Sequence, residues 1–224
     1  MSKTVMIAGA SRGIGLEMAR QAKARGDRVI ASVRSAEGSA ALEGIADQVL
    51  QFDVTDEDAV RATTGSVAEP IDLLVINAGI YRARGGLDAE DSGPDAWADV
   101  LMTNVAGPFL VARAFLPQVE QAGGKITIIS SKMGSSALAA GNGYLYRASK
   151  AAATNVACNL AVELKPRGVA VGSYHPGWVR TDMGGTGADI SVEESASGLL
   201  ARFEALSLET TGAFEDYAGD VLPF

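Results

Sequence analysis

The chain of 224 residues contains one cysteine, Cys158, and one histidine, His175. A single thiol excludes an intrachain disulfide, and the two residues together are too few for a metal centre built on cysteine and histidine. No uninterrupted apolar run approaches the ~18 residues that a membrane span requires. Basic residues are outnumbered, 19 against 27 acidic, for a net charge of −8. That sign is wrong for a protein that tracks a phosphate backbone, so nucleic acid is not an expected partner, and neither is a membrane. Met1-Ser-Lys-Thr leads directly into Val5-Met-Ile-Ala-Gly9 without a charged leader or a cleavage site, a pattern that predicts a cytoplasmic protein. Repeats, Pro/Ser-rich linkers and charged tails are missing as well, so residues 1–224 read as one domain.

What is present is globular: 47% hydrophobic and 21% charged residues. Short apolar runs rich in β-branched residues predict strands over 4–8, 28–33, 48–52, 72–76, 125–129 and 169–174. Between them, apolar residues at three- and four-residue spacing predict helices over 13–24, 56–67, 95–120 and 144–164. Thr55 with Asp58, and Ser191 with Glu194, read as capping boxes or near-variants opening the 56–67 helix and a late one. Strands apolar on both sides need helices on both faces, so the alternation predicts an α/β, Rossmann-like, doubly wound parallel sheet. Ligands then gather at the carboxyl ends of its strands.

The first of those ends carries Ala8-Gly-Ala-Ser-Arg-Gly-Ile-Gly15 between a strand and a helix. Glycines at 9, 13 and 15 let backbone N–H groups approach a pyrophosphate, and the following helix presents its positive end to the same anion. Taken alone, the segment also fits an ordinary glycine-rich turn. About 20 residues on, where a carboxylate often binds the adenosine ribose, the chain reads Ala31-Ser-Val-Arg34. Arg34 and Arg12 fit a 2′-phosphate instead, which favours NADP(H) over NAD(H); two solvated surface arginines are the plain alternative. Asp53 suits either the adenine amino group or a turn.

Tyr146 and Lys150 stand four residues apart, about 40° around and 6 Å along a helix, so a phenol and an ammonium share one face. Tyr144 points about 120° away from Lys150 and is the poorer acid. The strand 125–129 ends in Ser130-Ser131, delivering a hydroxyl to the same rim, although a serine-rich turn has the same appearance. Asn77-Ala78-Gly79 ends another strand, as cofactor rim or as a common Asn-Gly turn. Asn104 lies inside a helical stretch where asparagine is disfavoured. His175 precedes Pro176-Gly177 as a structural residue, and Cys158 belongs to helix packing.

As an ordered set, Gly9-x3-Gly13-x-Gly15, Asn77-Ala-Gly79, Asn104, Ser131, Tyr146-x3-Lys150 and Pro176-Gly177 resemble the short-chain dehydrogenase/reductase family over nearly the whole chain. Within it, the segments around Tyr144–Ala152 and His175–Gly185 look most like the compact C-factor and sniffer-like carbonyl reductases. The resemblance implies that Tyr146 is the proton donor, that Ser131 orients the carbonyl oxygen, and that Lys150 holds the nicotinamide ribose. Asn104 would complete a water-linked proton relay. Cofactor contacts are implied for Gly9, Ser11, Arg12, Gly13, Ile14, Gly15, Arg34, Asp53, Val54, Asn77, Ala78, Gly79, Tyr146, Lys150, Pro176, Val179 and Thr181. Ala8 and Ile76 depart from the family's threonine and first asparagine, which removes local hydrogen bonds but no catalytic group.

The reaction so implied is reversible carbonyl-to-alcohol conversion with NADP(H) on a small-molecule substrate, in a homodimer or homotetramer. A Lys150 ammonium beside the phenol is expected to lower its pKa, by up to ~4 kcal/mol at 4 Å in an effective dielectric of 20. Residues 176–206 are expected to form the substrate loop and lid, with Met133, Leu138, Trp178 and Met183 as an apolar wall. The alternative function is a nicotinamide-binding signalling protein with little turnover.

Overall fold

The computed structural model describes residues 2–224; Met1 lies outside the described residues. Seven strands form one sheet: β1 (Thr4–Ala8), β2 (Arg28–Val33), β3 (Gln48–Gln51), β4 (Leu73–Ile76), β5 (Lys125–Ile129), β6 (Ala170–His175) and β7 (Phe214–Asp216). Their order is β3-β2-β1-β4-β5-β6-β7, and every pairing is parallel. The helices are α1 (Gly13–Ala24), α2 (Glu57–Thr64), α3 (Pro94–Leu101), α4 (Gly107–Ala122), α5 (Tyr144–Leu164) and α6 (Val192–Ala205).

The period of two along a strand sorts the core into two layers. On β1, Met6 joins Ile30, Leu74, Ile76, Ile126 and Phe115 under α2, α4 and α5. Its neighbours Val5 and Ile7 face the other way, with Val29, Val75, Leu199 and Phe203 under α1 and α6. The chain leaves β1 for β2 on one side and later returns to β4 on the other, so the order reverses between β1 and β4. At that switch point the βα loops diverge, the place where sheets of this kind bind their ligands.

The expected 95–120 helix is a continuous helical stretch in three parts. A π-helical turn, Met102–Ala106, separates α3 from α4 and contains Asn104. The stretch Pro94–Ala122 has the length and composition of a membrane-crossing helix. Its α4 portion instead buries Val111, Phe115 and Val119 in the sheet core. Ser191 caps α6 by accepting from the Glu194 N–H at 3.1 Å. The α2 cap lies one residue later than expected, because Asp56 accepts from the Ala59 N–H while Thr55 is turned back onto Asp53. β7 has three residues, too few to show an alternation in the sequence.

Candidate active site

The glycine turn runs from β1 into α1. Gly9 has φ +89°, and a Cβ there would stand 2.8 Å from the Ala78 nitrogen, so the turn can lie this close to the β4 end only with glycine. Asn77 fastens the contact by donating to the Gly9 carbonyl at 2.7 Å. Helix α1 begins with no side-chain cap and no acidic residue in its first turn, leaving N–H groups of Gly13, Ile14 and Gly15 at its positive end. Ser11 lies against the short 3-10 turn Ala36–Leu42, where a Cβ at Gly38 would meet its Cβ at 2.9 Å. Across the turn, the Thr181 methyl stands 3.5 Å from where a Gly13 Cβ would be, so the segment after β6 closes on the turn after β1.

Arg34 follows β2 directly and is exposed. Arg12 is exposed too, but its guanidinium pairs with Asp182 at 2.9 Å. A pair so open to water contributes little, about 0–1 kcal/mol, and yields readily to a stronger anion. Asp53 forms a turn, accepting from the Thr55 N–H and hydroxyl at 2.9 and 2.8 Å. Val54 is buried against Gly107.

Ser131 ends the loop from β5 and caps a short 3-10 turn, accepting from the Met133 N–H at 3.1 Å. That turn presses onto α5 because Gly134 has no side chain; a Cβ there would sit 2.6 Å from the Lys150 carbonyl carbon. Ser130 joins the same elements, donating to the Lys150 carbonyl at 3.0 Å and sharing a 2.7 Å bond with Thr154. The result brings the Ser131 hydroxyl near enough to Tyr146 to oppose the rise in its pKa. Tyr146 and Lys150 are both buried, with Lys150 Nζ 5.6 Å from the phenol ring centroid. Tyr144 is exposed and belongs to another face of α5.

Asn104 is fully buried. Its oxygen accepts from the Ile80 N–H at 2.8 Å, and its nitrogen donates to the Ile80 carbonyl and the Ser149 hydroxyl, both at 2.9 Å. A Cβ at Gly79 would lie 3.3 Å from both Asn104 Oδ1 and Lys150 Nζ, so the end of β4, the π turn and α5 converge on one point. The amide oxygen retains a second lone pair for a water.

Burial dominates the electrostatics. It pushes the Tyr146 phenol up to about 12, against the lowering effects of the Ser131 hydroxyl and the Arg84 guanidinium. It pulls the Lys150 ammonium down to about 8. The expected acidifying action of Lys150 on Tyr146 is outweighed here by burial, which shifts both groups toward their neutral forms while leaving Lys150 mainly an ammonium at neutral pH. The ammonium has one protein hydrogen bond, to the Ile129 carbonyl at 2.8 Å, so two of its three donors are left over.

Pro176 and Val179 shape the loop after β6: the Pro176 carbonyl accepts from Ser195 at 2.6 Å, and Val179 bridges Ile190. Within 176–206, the irregular part ends before α6, which packs on the core through Leu199 and Phe203. Trp178, Met183 and Leu138 are exposed. His175 is buried with no partner for Nδ1, and burial pulls its pKa down to about 4.

Sequence reading missed Tyr81 and Arg84. The Tyr81 ring stacks on Tyr146 at 4.2 Å between centroids, and the Arg84 guanidinium carbon lies over the Tyr81 ring, 4.6 Å from its centroid. Arg84 also donates to the Met183 carbonyl. The available signal was an aromatic and a cation three apart immediately after Asn77-Ala-Gly79, in a stretch without periodicity. A separate surface groove of about 470 Å³ between α1 and α6, beside Lys3, Arg25, Asp27 and Glu204, lies away from all these groups.

Comparison with known proteins agrees with this geometry. Residues 3–189 match the family model described as short chain dehydrogenase. The C-signal protein of Myxococcus xanthus is 36% identical over 69% of this chain and 93% of its own length. An NADPH-bound carbonyl reductase from chicken fatty liver superposes with TM-score 0.92 at 30% identity, covering 100% of this chain and 94% of that one. A carbonyl reductase of Pseudomonas aeruginosa PAO1 in complex with NADP is 35% identical over the full length of both chains, with TM-score 0.85. With its glycine turn, its Tyr-x3-Lys helix and its parallel sheet, the chain belongs to the short-chain dehydrogenase family.

Proposed function

We propose that the protein is an NADP(H)-dependent oxidoreductase that interconverts a small carbonyl compound and its alcohol, with Tyr146 as general acid and base. The observation that carries this reading is the burial of Lys150 beside Tyr146 with no carboxylate partner and two donors unspent. An unpaired buried ammonium is costly, and a methionine would pack the same space more cheaply. Its place there supports a ligand role.

The residues fit a dinucleotide. Gly9 lets the glycine turn lie against the end of β4, the α1 N-terminus is uncapped, and Arg34 stands without an acid partner among the described residues. In this reading the α1 N–H groups hold the pyrophosphate, Arg34 and Arg12 the 2′-phosphate, and Asn77, Ala78 and Gly79 border the adenine ribose. Pro176, Val179 and Thr181 line the nicotinamide, and Lys150 donates to its ribose. The bound cofactor supplies or accepts the hydride. Tyr146, kept neutral by burial, holds a proton for the substrate oxygen in the reduction direction; Ser131 donates to the same oxygen and fixes its position. Asn104 acts by positioning, holding Ile80 and Ser149 and thereby the floor beneath Lys150. Exposed Phe109 on α4 and Val162 on α5 support a homodimer or homotetramer formed through these helices.

Oxidation of NADPH with a panel of aldehydes, ketones and quinones, compared with NADH, tests the reading. Carbonyl-dependent turnover with preference for NADPH is expected, and absence of turnover across the panel contradicts it. Similarity to C-signal favours a second reading, nicotinamide-dependent signalling with little turnover. Partner capture that needs NADPH and persists in Tyr146→Phe would select it.

A further inference from the structure

Nine of the thirteen arginines pair with a carboxylate, as expected in a chain with 27 acidic residues. Among the described residues the exceptions are Arg34, Arg84, Arg147 and Arg180, and all four stand at or near the carboxyl edge of the sheet. Two of these are occupied by backbone. Arg147 donates to the Met133 and Leu138 carbonyls, and Arg180 to those of Ala188 and Asp189. Arg34 is accounted for by the proposed 2′-phosphate. Arg84 remains.

Its guanidinium belongs to an exposed residue, lies over the Tyr81 ring, and spends one donor on the Met183 carbonyl. Tyr81 in turn stacks on Tyr146, so one ring is in contact with both the cation and the proposed proton donor. Of the acids on the surrounding loops, Asp91 and Asp99 pair with Arg82 and Asp182 with Arg12, while Asp88 and Glu90, on the same loop as Arg84, make no ion pair with it. A guanidinium pre-oriented by stacking, with most of its five donors free, suits a carboxylate. We infer that Arg84 is a specificity-determining residue that binds an anionic group of the substrate, so that the preferred substrates are carbonyl compounds bearing a carboxylate. The inference rests on the proposed oxidoreductase reading, and it adds a substrate class to it. The Met183 contact gives the device a second effect, since an anion on Arg84 also ties the loop after β4 to the loop after β6.

The test compares para- and meta-formylbenzoate with their methyl esters as substrates for NADPH oxidation. Wild-type protein is expected to show a lower KM for the acids. Arg84→Ala should raise KM for the acids ~10-fold or more, the scale of one charge-assisted hydrogen bond, and change the esters less than ~3-fold. Arg84→Lys should recover part of the preference, and high salt should erode it. Equal KM for acid and ester in the wild type, or an equal loss for both in Arg84→Ala, overturns the inference and reduces Arg84 to a loop latch while leaving the oxidoreductase reading intact. Calorimetric titration of benzoate into NADPH-loaded protein makes the comparison without chemistry. Binding that disappears in Arg84→Ala supports the anion site even where no aldehyde is turned over, and binding that is absent or indifferent to Arg84 overturns it.

Discussion

The rings of Tyr81 and Tyr146 lie stacked, 4.2 Å apart and 19° from parallel. Stacking covers one face of the phenol and contributes to the burial that pushes its pKa up to about 12. Tyr81→Ala should admit water and lower that value toward the ordinary ~10, whereas Tyr81→Phe should keep most of the elevation. Ultraviolet titration of tyrosinate, with Tyr146→Phe as the reference, checks this. For a reaction that needs the neutral phenol, the alkaline loss of activity should move to lower pH in Tyr81→Ala.

Lys150 should make cofactor affinity depend on pH. Its pKa is lowered to about 8 in the free protein, and donation to ribose oxygens favours the ammonium. Binding then takes up a proton above about pH 8, so NADPH affinity should be level below that pH and fall by up to ~10-fold per unit above it. Stability of the free protein runs the other way. The penalty for burying an ammonium is present below about pH 8 and is relieved as pH rises toward the ordinary 10.5. Fluorescence quenching by NADPH across pH measures the first effect, and Lys150→Met should abolish the slope.

Asn104→Ala should strand the partly buried Ile80 N–H and carbonyl and free the Ser149 hydroxyl. Loss of partners at buried groups costs about 1–3 kcal/mol each, with relaxation offsetting part of the total. A clear fall in Tm is expected, together with a kcat loss larger than the change in NADPH affinity. Thermal melts and steady-state kinetics on the same preparation separate the two.

Arg34→Ala should weaken NADPH binding about 10-fold and leave NADH within a factor of ~2. Arg12→Ala should have a smaller effect, because that guanidinium must first leave Asp182. Matched titrations with both nucleotides read the ratio.

Strands β1, β2 and β5 and helices α1 and α5 were legible to the residue, because buried parallel strands read as continuous apolar runs and long helices show their period. The split of 95–120 was not legible: a π turn keeps nearly the same apolar spacing as an α-helix, and only the disfavoured Asn104 marked it. β7 is too short to carry a pattern. The positions of Ser131, Tyr146 and Lys150 followed from a strand end and a helix face, both local features. The Tyr81–Arg84 stack depends on how an irregular loop folds back over α5, which no local rule encodes. The same holds for Arg12, whose partner Asp182 is 170 residues away.

The central claim is that Tyr146 delivers the proton at a site where Lys150 holds the cofactor. Single-turnover oxidation of pre-bound NADPH by a reducible carbonyl, in wild type and Tyr146→Phe, tests it most directly. The phenylalanine variant should bind NADPH as tightly as wild type and react at least ~100-fold more slowly. An unchanged rate in a variant that binds NADPH normally would contradict the account.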